Sequence, residues 1–354
     1  MKRLLIIINL LLCTSAYAQV SIDDDLSDFD YGVDMVETAY SGFGNKVTER
    51  TRASYMAIKD SMRSSIATKQ TTLEDAFGCY LAWFKDFHLC EFGEAQRKYM
   101  DGPIDYTSFM DYAPCDVYGK VDDSCFLIRY TSCEWTSKRR HWIDKAISSF
   151  KKSGCEHLIL DLRGNKGGST GTSDAFIELL YNHDGKYNGV VIRNTPTNLN
   201  FLRKAMRRDK NWQARLDAAE CSSDEYPTLL EPPLVHYKKT SSLPKKAAII
   251  IDNNTASCAE ELILILQRVS DRVMVFGKDH SLGCADYSNA GMVIMPKSKN
   301  KFMLPLTCSL GLPETGIDAT GIIPDVTIDC DYPSVLKDNI DSWCQWVAAF
   351  LLDK

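Results

Sequence analysis

Three groups of residues have types and spacings that could do chemistry together. The first is Ser257, in the run Asn254-Thr255-Ala256-Ser257-Cys258-Ala259-Glu260. A serine hydroxyl attacks a carbonyl carbon once a neighbouring base takes its proton. The second is the pair Gly167-Gly168, whose N–H groups could hold the oxyanion that such an attack creates. The third is His88, in Asp86-Phe87-His88, because imidazole suits proton abstraction near neutral pH. Each also has an ordinary reading: Ser257 as a helix N-cap, the glycines as a tight turn with positive φ, and His88 as a surface or satisfied core histidine. Ser257 and the glycine pair are the raw material for a nucleophile and an oxyanion hole.

The flanking sequence shows how these groups would be positioned. Leu158-Ile159-Leu160 leads into Asp161-Leu162-Arg163-Gly164-Asn165-Lys166-Gly167-Gly168, and Ala248-Ile249-Ile250-Ile251 leads into Asp252-Asn253-Asn254-Thr255-Ala256-Ser257. A short apolar run ending in a polar, small-residue turn reads as a strand buried on both faces. A helix is expected after each turn. Around these pairs, strand and helix alternate. A hairpin is predicted over Val117 to Arg129, helices over Trp135–Lys152 and Thr172–Tyr181, a strand over Asn188–Asn194, a helix over Ala259–Val269 and a strand over Val273–Phe276. This alternation predicts an α/β fold.

The rest of the chain falls into segments. Residues 1–18 have a basic start, an apolar core and the site Ala16-Tyr17-Ala18, which reads as a secretory signal peptide. Leu12 stands before Cys13 where a lipoprotein site has a small residue, so lipid anchoring at Cys13 is the secondary reading. Residues 19–34 hold six aspartates and read as an acidic, solvated linker. Residues 35–100 are an N-terminal helical region, residues 196–245 an insertion over the core, and residues 334–354 a closing amphipathic helix.

Composition bounds the function. The 354 residues carry a net charge of −6, which argues against a nucleic-acid partner. No later run is long and apolar enough for a membrane span. Export to a periplasm or the exterior is expected. That setting permits disulfides, so one to a few are expected from the 13 cysteines. Cys155, Cys258 and Cys284 near the motif turns instead read as small apolar residues. The spacing offers no zinc site, and no metal or cofactor is expected.

The chain resembles the C-terminal processing, or tail-specific, serine peptidases and the related tricorn-type peptidases. Leu160 to Gly168 is similar to the family's D-L-R-x-N-x-G-G. Asn254 to Glu260 is similar to T-A-S-A-S-E, in which the first serine is the nucleophile. Phe276-Gly277 with Asp286-Tyr287-Ser288-Asn289, then Gly316-Ile317-Asp318 through Gly321-Ile322-Ile323-Pro324-Asp325-Val326, follow in the family's order. Asp86-Phe87-His88 is similar to D-G-H-T. The resemblance covers about Asp86 to Ile328.

It implies a crotonase-like (ClpP-like) spiral of ββα units, with residues 101–333 as the peptidase-like α/β core. It implies hydrolysis of peptide or protein substrates by Ser257, with an oxyanion hole from the N–H groups of Gly167 or Gly168 and of Cys258. The family's lysine base has no counterpart in Gly277 to Cys284, where Lys278 stands at the glutamate position. His88 is therefore the first candidate base and Lys278 the second. Glu314 and Asp318 are the positional candidates for a carboxylate that orients the histidine. The space between the helical region and the first motif strand is too short for the PDZ domain that tail-specific members carry. Two other functions fit the same residues: a pseudopeptidase that binds peptides or an exported partner, and a crotonase-type activity on acyl thioesters. Coenzyme A is cytoplasmic, so a signal peptide weighs against the latter.

Overall fold

In the computed structural model, which describes residues 21–91 and 111–353, the two motif strands lie side by side. His157–Asp161 and Lys246–Ile250 are parallel neighbours with Leu160 opposite Ile249 and Asp161 opposite Ile250. They form the centre of a six-stranded sheet ordered Val326–Thr327, Val273–Gly277, Lys246–Ile250, His157–Asp161, Cys125–Arg129, Val117–Lys120. The Val117–Lys120 strand is antiparallel and closes the expected hairpin with Cys125–Arg129. Because the register is even, both motif turns leave the sheet at the same edge, which brings the glycines to the serine.

Both faces of this sheet are covered, as its continuous apolar strands require. Successive side chains point to opposite faces. Leu158, Leu160 and Ile249 pack on one side with Ile143, Phe150, Phe176, Leu262 and Leu266 from the helices Ser137–Ser153, Asp174–Leu180 and Cys258–Val269. Ile159, Ala248 and Ile250 pack on the other with Trp343, Val347 and Leu351 of the C-terminal helix Ser342–Asp353. That helix starts later than the expected 334, because Val335–Leu336 is a strand paired with Asp111–Tyr112.

A separate core lies beyond the sheet. It unites the helices Ile22–Ala39, Arg52–Ala67 and Leu73–Ala82 with strands near Val191, Phe302 and Cys308. Within it Cys90–Glu91, Lys301–Leu304 and Gly291–Ile294 form a three-stranded sheet, and Tyr287–Ser288, Thr307–Ser309, Val190–Ile192 and Thr228–Leu230 a four-stranded one. The insertion thus contributes the helices Pro196–Ala205 and Lys210–Glu220 and an edge strand.

Two expectations are corrected. The acidic segment 19–34 is not a linker, since most of it lies in the helix Ile22–Ala39. Ser21 caps it by accepting from the N–H of Asp24 at 3.1 Å. Asp23, Asp24 and Asp25 occupy its first turn, where the helix dipole favours negative charge. Phe29, Val33 and Val36 bury one face, and fully buried Asp28 accepts the N–H groups of Lys297 and Ser298 at 2.9 and 2.6 Å. The cysteines differ too: the 12 described ones are all free thiols. Cys125, Cys133, Cys155, Cys284, Cys308 and Cys344 are buried and fill space as small apolar side chains. The expected signal peptide and Cys13 lie outside the described residues, as does much of the stretch between the helical region and the hairpin. No described helix is long and apolar enough to cross a membrane.

Candidate active site

Ser257 stands between the strand Lys246–Ile250 and the helix Cys258–Val269, at the N-cap position. Its backbone has φ 56° and ψ −122°, a region that L side chains rarely adopt. Such strain costs about 1–3 kcal/mol and persists only where the surroundings over-determine it. Here the N–H of Ser257 donates to Glu260 Oε2 at 2.9 Å, and the N–H of Ala256 donates to the Asn165 carbonyl at 2.9 Å. Ser257 and Glu260 close a capping box at this helix start, and the serine is partly exposed to a cleft of about 570 Å³.

Glu260 holds this turn to its neighbours. Its buried carboxylate also accepts from Ser281 Oγ at 2.6 Å, Gly283 N–H at 2.6 Å and Cys284 N–H at 3.0 Å. Burial raises its pKa, and these four donors oppose that shift.

The glycine turn is tied to the serine turn from below. Thr255 Oγ1 donates to the carbonyl of Leu162 at 3.0 Å, and Asp252 accepts the N–H of Gly164 at 3.1 Å and the hydroxyl of Tyr112 at 2.7 Å. Asn165 donates its amide to the Tyr130 carbonyl at 2.8 Å and accepts the N–H of Gly167 at 3.0 Å. That bond occupies Gly167. Among the described residues no acceptor takes the N–H of Gly168, and Cys258 is the first residue of its helix, where the N–H has no intrahelical partner. Gly168 and Cys258 are therefore the two donors available beside Ser257. Gly167 has φ +89°, and a Cβ there would lie 2.7 Å from Ser257 Cβ and 2.9 Å from Cys258 N. Only glycine permits this approach.

Behind the turns, Arg129 and Arg163 pair with Asp161 and Asp341 in a fully buried cluster. Burial alone would raise the Asp161 pKa, and the two guanidiniums overcome this and hold it far below the usual carboxylate range. Asp161, Asp341 and Cys344 bring ligand-type atoms close together, but the guanidiniums already fill the space around them.

His88 reaches Ser257 from the helical region. Its Nε2 lies 3.1 Å from Ser257 Oγ and its Nδ1 lies 2.6 Å from the carbonyl oxygen of Tyr287. Asp86 fixes the turn that carries it: Oδ1 accepts the His88 N–H at 2.9 Å, and Oδ2 accepts the Tyr40 hydroxyl at 2.8 Å. Asp86 is buried, which raises its pKa against the opposing charges of His88 and Lys46.

The other candidates lie elsewhere. Lys278 is exposed, donates to the Cys330 carbonyl at 2.9 Å and sits 5.3 Å from the Tyr332 ring centre. It has no contact with Ser257. Asp318 is paired with Lys46 rather than with His88, and burial pushes its pKa up to about 6. Glu314 is exposed on its loop. The place expected for an orienting carboxylate is taken by the Tyr287 carbonyl. A main-chain group leaves no side-chain signature to read. Asp86, two residues before the histidine, does leave one: a side-chain carboxylate that can accept the N–H two positions on is a common local turn.

The pattern of peptidase family S41 matches residues 125–328. Mature CPAF superposes with a TM-score of 0.59 at 10% identity, covering 94% of this chain and 96% of that one. A lipoprotein from Streptococcus agalactiae superposes with a TM-score of 0.51 at 15% identity, covering 92% and 96%. At these identities the two structures share the fold with this chain. No curated protein matches the sequence.

Proposed function

We propose that this chain, which belongs to peptidase family S41, is an exported serine endopeptidase in which Ser257 attacks the scissile carbonyl and His88 is the general base. The observation that carries the reading is the 3.1 Å contact between His88 Nε2 and Ser257 Oγ. The carbonyl of Tyr287 can only accept a hydrogen bond, so Nδ1 holds the ring proton. In the neutral ring, Nε2 then offers its lone pair to the serine proton. As Oγ bonds to the substrate carbon, its proton passes to Nε2. The imidazolium so formed lies near the Asp86 carboxylate, which supplies the negative charge that a main-chain carbonyl lacks. The substrate carbonyl oxygen becomes the oxyanion facing the N–H groups of Gly168 and Cys258. His88 then returns the proton to the departing amine, and water releases the acyl group from Ser257 by the same exchange.

The parallel strand and helix succession supports reading the core as a crotonase-like spiral of ββα units. The assembled nucleophile and base weigh against an inert, peptide-binding relative. Labelling with a fluorophosphonate tests the assignment. The wild-type protein should label, Ser257→Ala should not, and His88→Ala should label far more slowly. Equal labelling of wild type and Ser257→Ala would remove Ser257 as the nucleophile.

A further inference from the structure

Glu261 faces the cleft one turn along the helix that Ser257 begins. Its Oε2 accepts the hydroxyl of Thr170 at 2.6 Å, and among the described residues no lysine or arginine pairs with it or lines the cleft. A carboxylate in a first helical turn is ordinarily explained by the helix dipole. Glu260 already fills that role with its whole carboxylate turned into the protein. Glu261 instead stands half-buried at the wall of the cleft, where burial and the charge of Asp174 both raise its pKa. The same cleft is also lined by the partly exposed apolar side chains of Met206, Trp212, Leu230 and Met303, with Tyr187 near the carboxylate. A negative group without a cationic partner, next to apolar surface, matches one kind of side chain: a long apolar stem with a cationic end.

We infer that Glu261 makes the cleft selective for peptides carrying a lysine or arginine side chain close to the scissile bond. The inference rests on the peptidase reading above and adds the substrate class. The stem of the basic side chain lies against Tyr187 and the apolar side chains of the cleft. Its cationic end meets Glu261, which no lysine or arginine partners among the described residues. Glu261 acts here in recognition and takes no part in the proton transfers.

The test uses the full-length mature protein and a set of quenched fluorescent peptides. A single lysine, norleucine or glutamate is moved through three positions on either side of the cleaved bond. Norleucine supplies the lysine stem without its charge. At one position the wild type should favour lysine over norleucine by about tenfold or more in kcat/KM. In Glu261→Gln that ratio should fall to within about twofold, and in Glu261→Arg the preference should turn to glutamate. An unchanged lysine-to-norleucine ratio in Glu261→Gln would overturn the inference. So would cleavage without a lysine preference at any position, although the peptidase assignment would then stand. Binding of the same peptides to Ser257→Ala, followed by fluorescence anisotropy, separates the two readings. A lysine preference in binding that depends on Glu261, without cleavage by the wild type, would sustain the recognition site and overturn the peptidase assignment. Neither cleavage nor selective binding would overturn both.

Discussion

His88 Nδ1 lies 2.6 Å from the carbonyl oxygen of Tyr287. The histidine is thus oriented by the main chain, and Asp86 grips its backbone instead of its ring. The arrangement fixes the tautomer as firmly as a carboxylate would, because a carbonyl has no proton to give. On the proposed mechanism, it would divide two jobs that one aspartate performs in a conventional triad, orientation and charge compensation, between Tyr287 and Asp86.

That division predicts an unequal response to removing carboxylates. Glu314→Gln should leave kcat/KM within about threefold of wild type, because Glu314 is exposed and away from His88. Asp86→Ala should lower kcat by about 10–100-fold, since misplacing a catalytic group by about 1 Å costs about that much. Steady-state kinetics on one peptide substrate checks both. Equal activity of Asp86→Ala and wild type would show that the backbone grip is unnecessary.

Gly167→Ala should be nearly inactive. The added methyl would meet Ser257 Cβ at 2.7 Å and the N–H of Cys258 at 2.9 Å, on a backbone with φ +89°. Displacing an oxyanion donor costs about 100–1,000-fold in kcat. Fluorophosphonate labelling should slow by a similar factor. A variant that labels at the wild-type rate would mean that the turn absorbs the methyl and that the close approach is not needed.

Glu260→Ala tests the buried hub behind the nucleophile. It would leave four donors without an acceptor, one of them the N–H of the strained serine itself. Leaving a buried donor unsatisfied costs about 1–3 kcal/mol. Urea denaturation should show a clear drop in midpoint. A midpoint within error of wild type would mean that water satisfies the freed groups.

Asp318 gives a pH dependence with a definite sign. Its pKa in the folded chain is about 6, raised by burial against the opposing charge of Lys46. An ordinary aspartate has a value near 3.9. The folded state therefore binds the proton more tightly than the unfolded state. This contribution to stability is complete below the unfolded value and is lost as pH rises through about 6. The full swing is at most about 3 kcal/mol. Denaturation midpoints measured from pH 4 to 7 should fall less steeply in Asp318→Asn than in wild type. Identical slopes would show that Asp318 titrates normally.

Much of the sheet and its two turns was legible because local signals agreed with the final packing. Apolar runs of strand length ended in glycine-rich or serine-bearing turns, and nothing in the tertiary structure opposed them. The acidic stretch before residue 35 was misread for the opposite reason. Six aspartates masked the spacing of Phe29, Val33 and Val36, which buries one helical face. Ser257 and the glycine pair stood out by residue type. His88 could be ranked above Lys278, but 169 positions separate it from Ser257, and no local pattern spans that gap. The orienter was illegible in principle, since every residue has a carbonyl and only the fold selects that of Tyr287. Glu261 was hidden by its neighbour, because two adjacent glutamates in a first turn look alike until one faces inward and the other faces the cleft.

Ser257 and His88 are supported by different cores. Ser257 grows from the six-stranded sheet, whose faces are packed by the central helices and the C-terminal helix. His88 is carried by the helical layer, whose apolar residues close on themselves and on the smaller sheets. The contact between Ser257 and His88 is therefore a joint between two bodies, and it is only as rigid as their docking. Gentle warming or low denaturant should silence the chemistry while the sheet still holds its shape. Anything that tightens the helical layer against the sheet would hold Ser257 and His88 together.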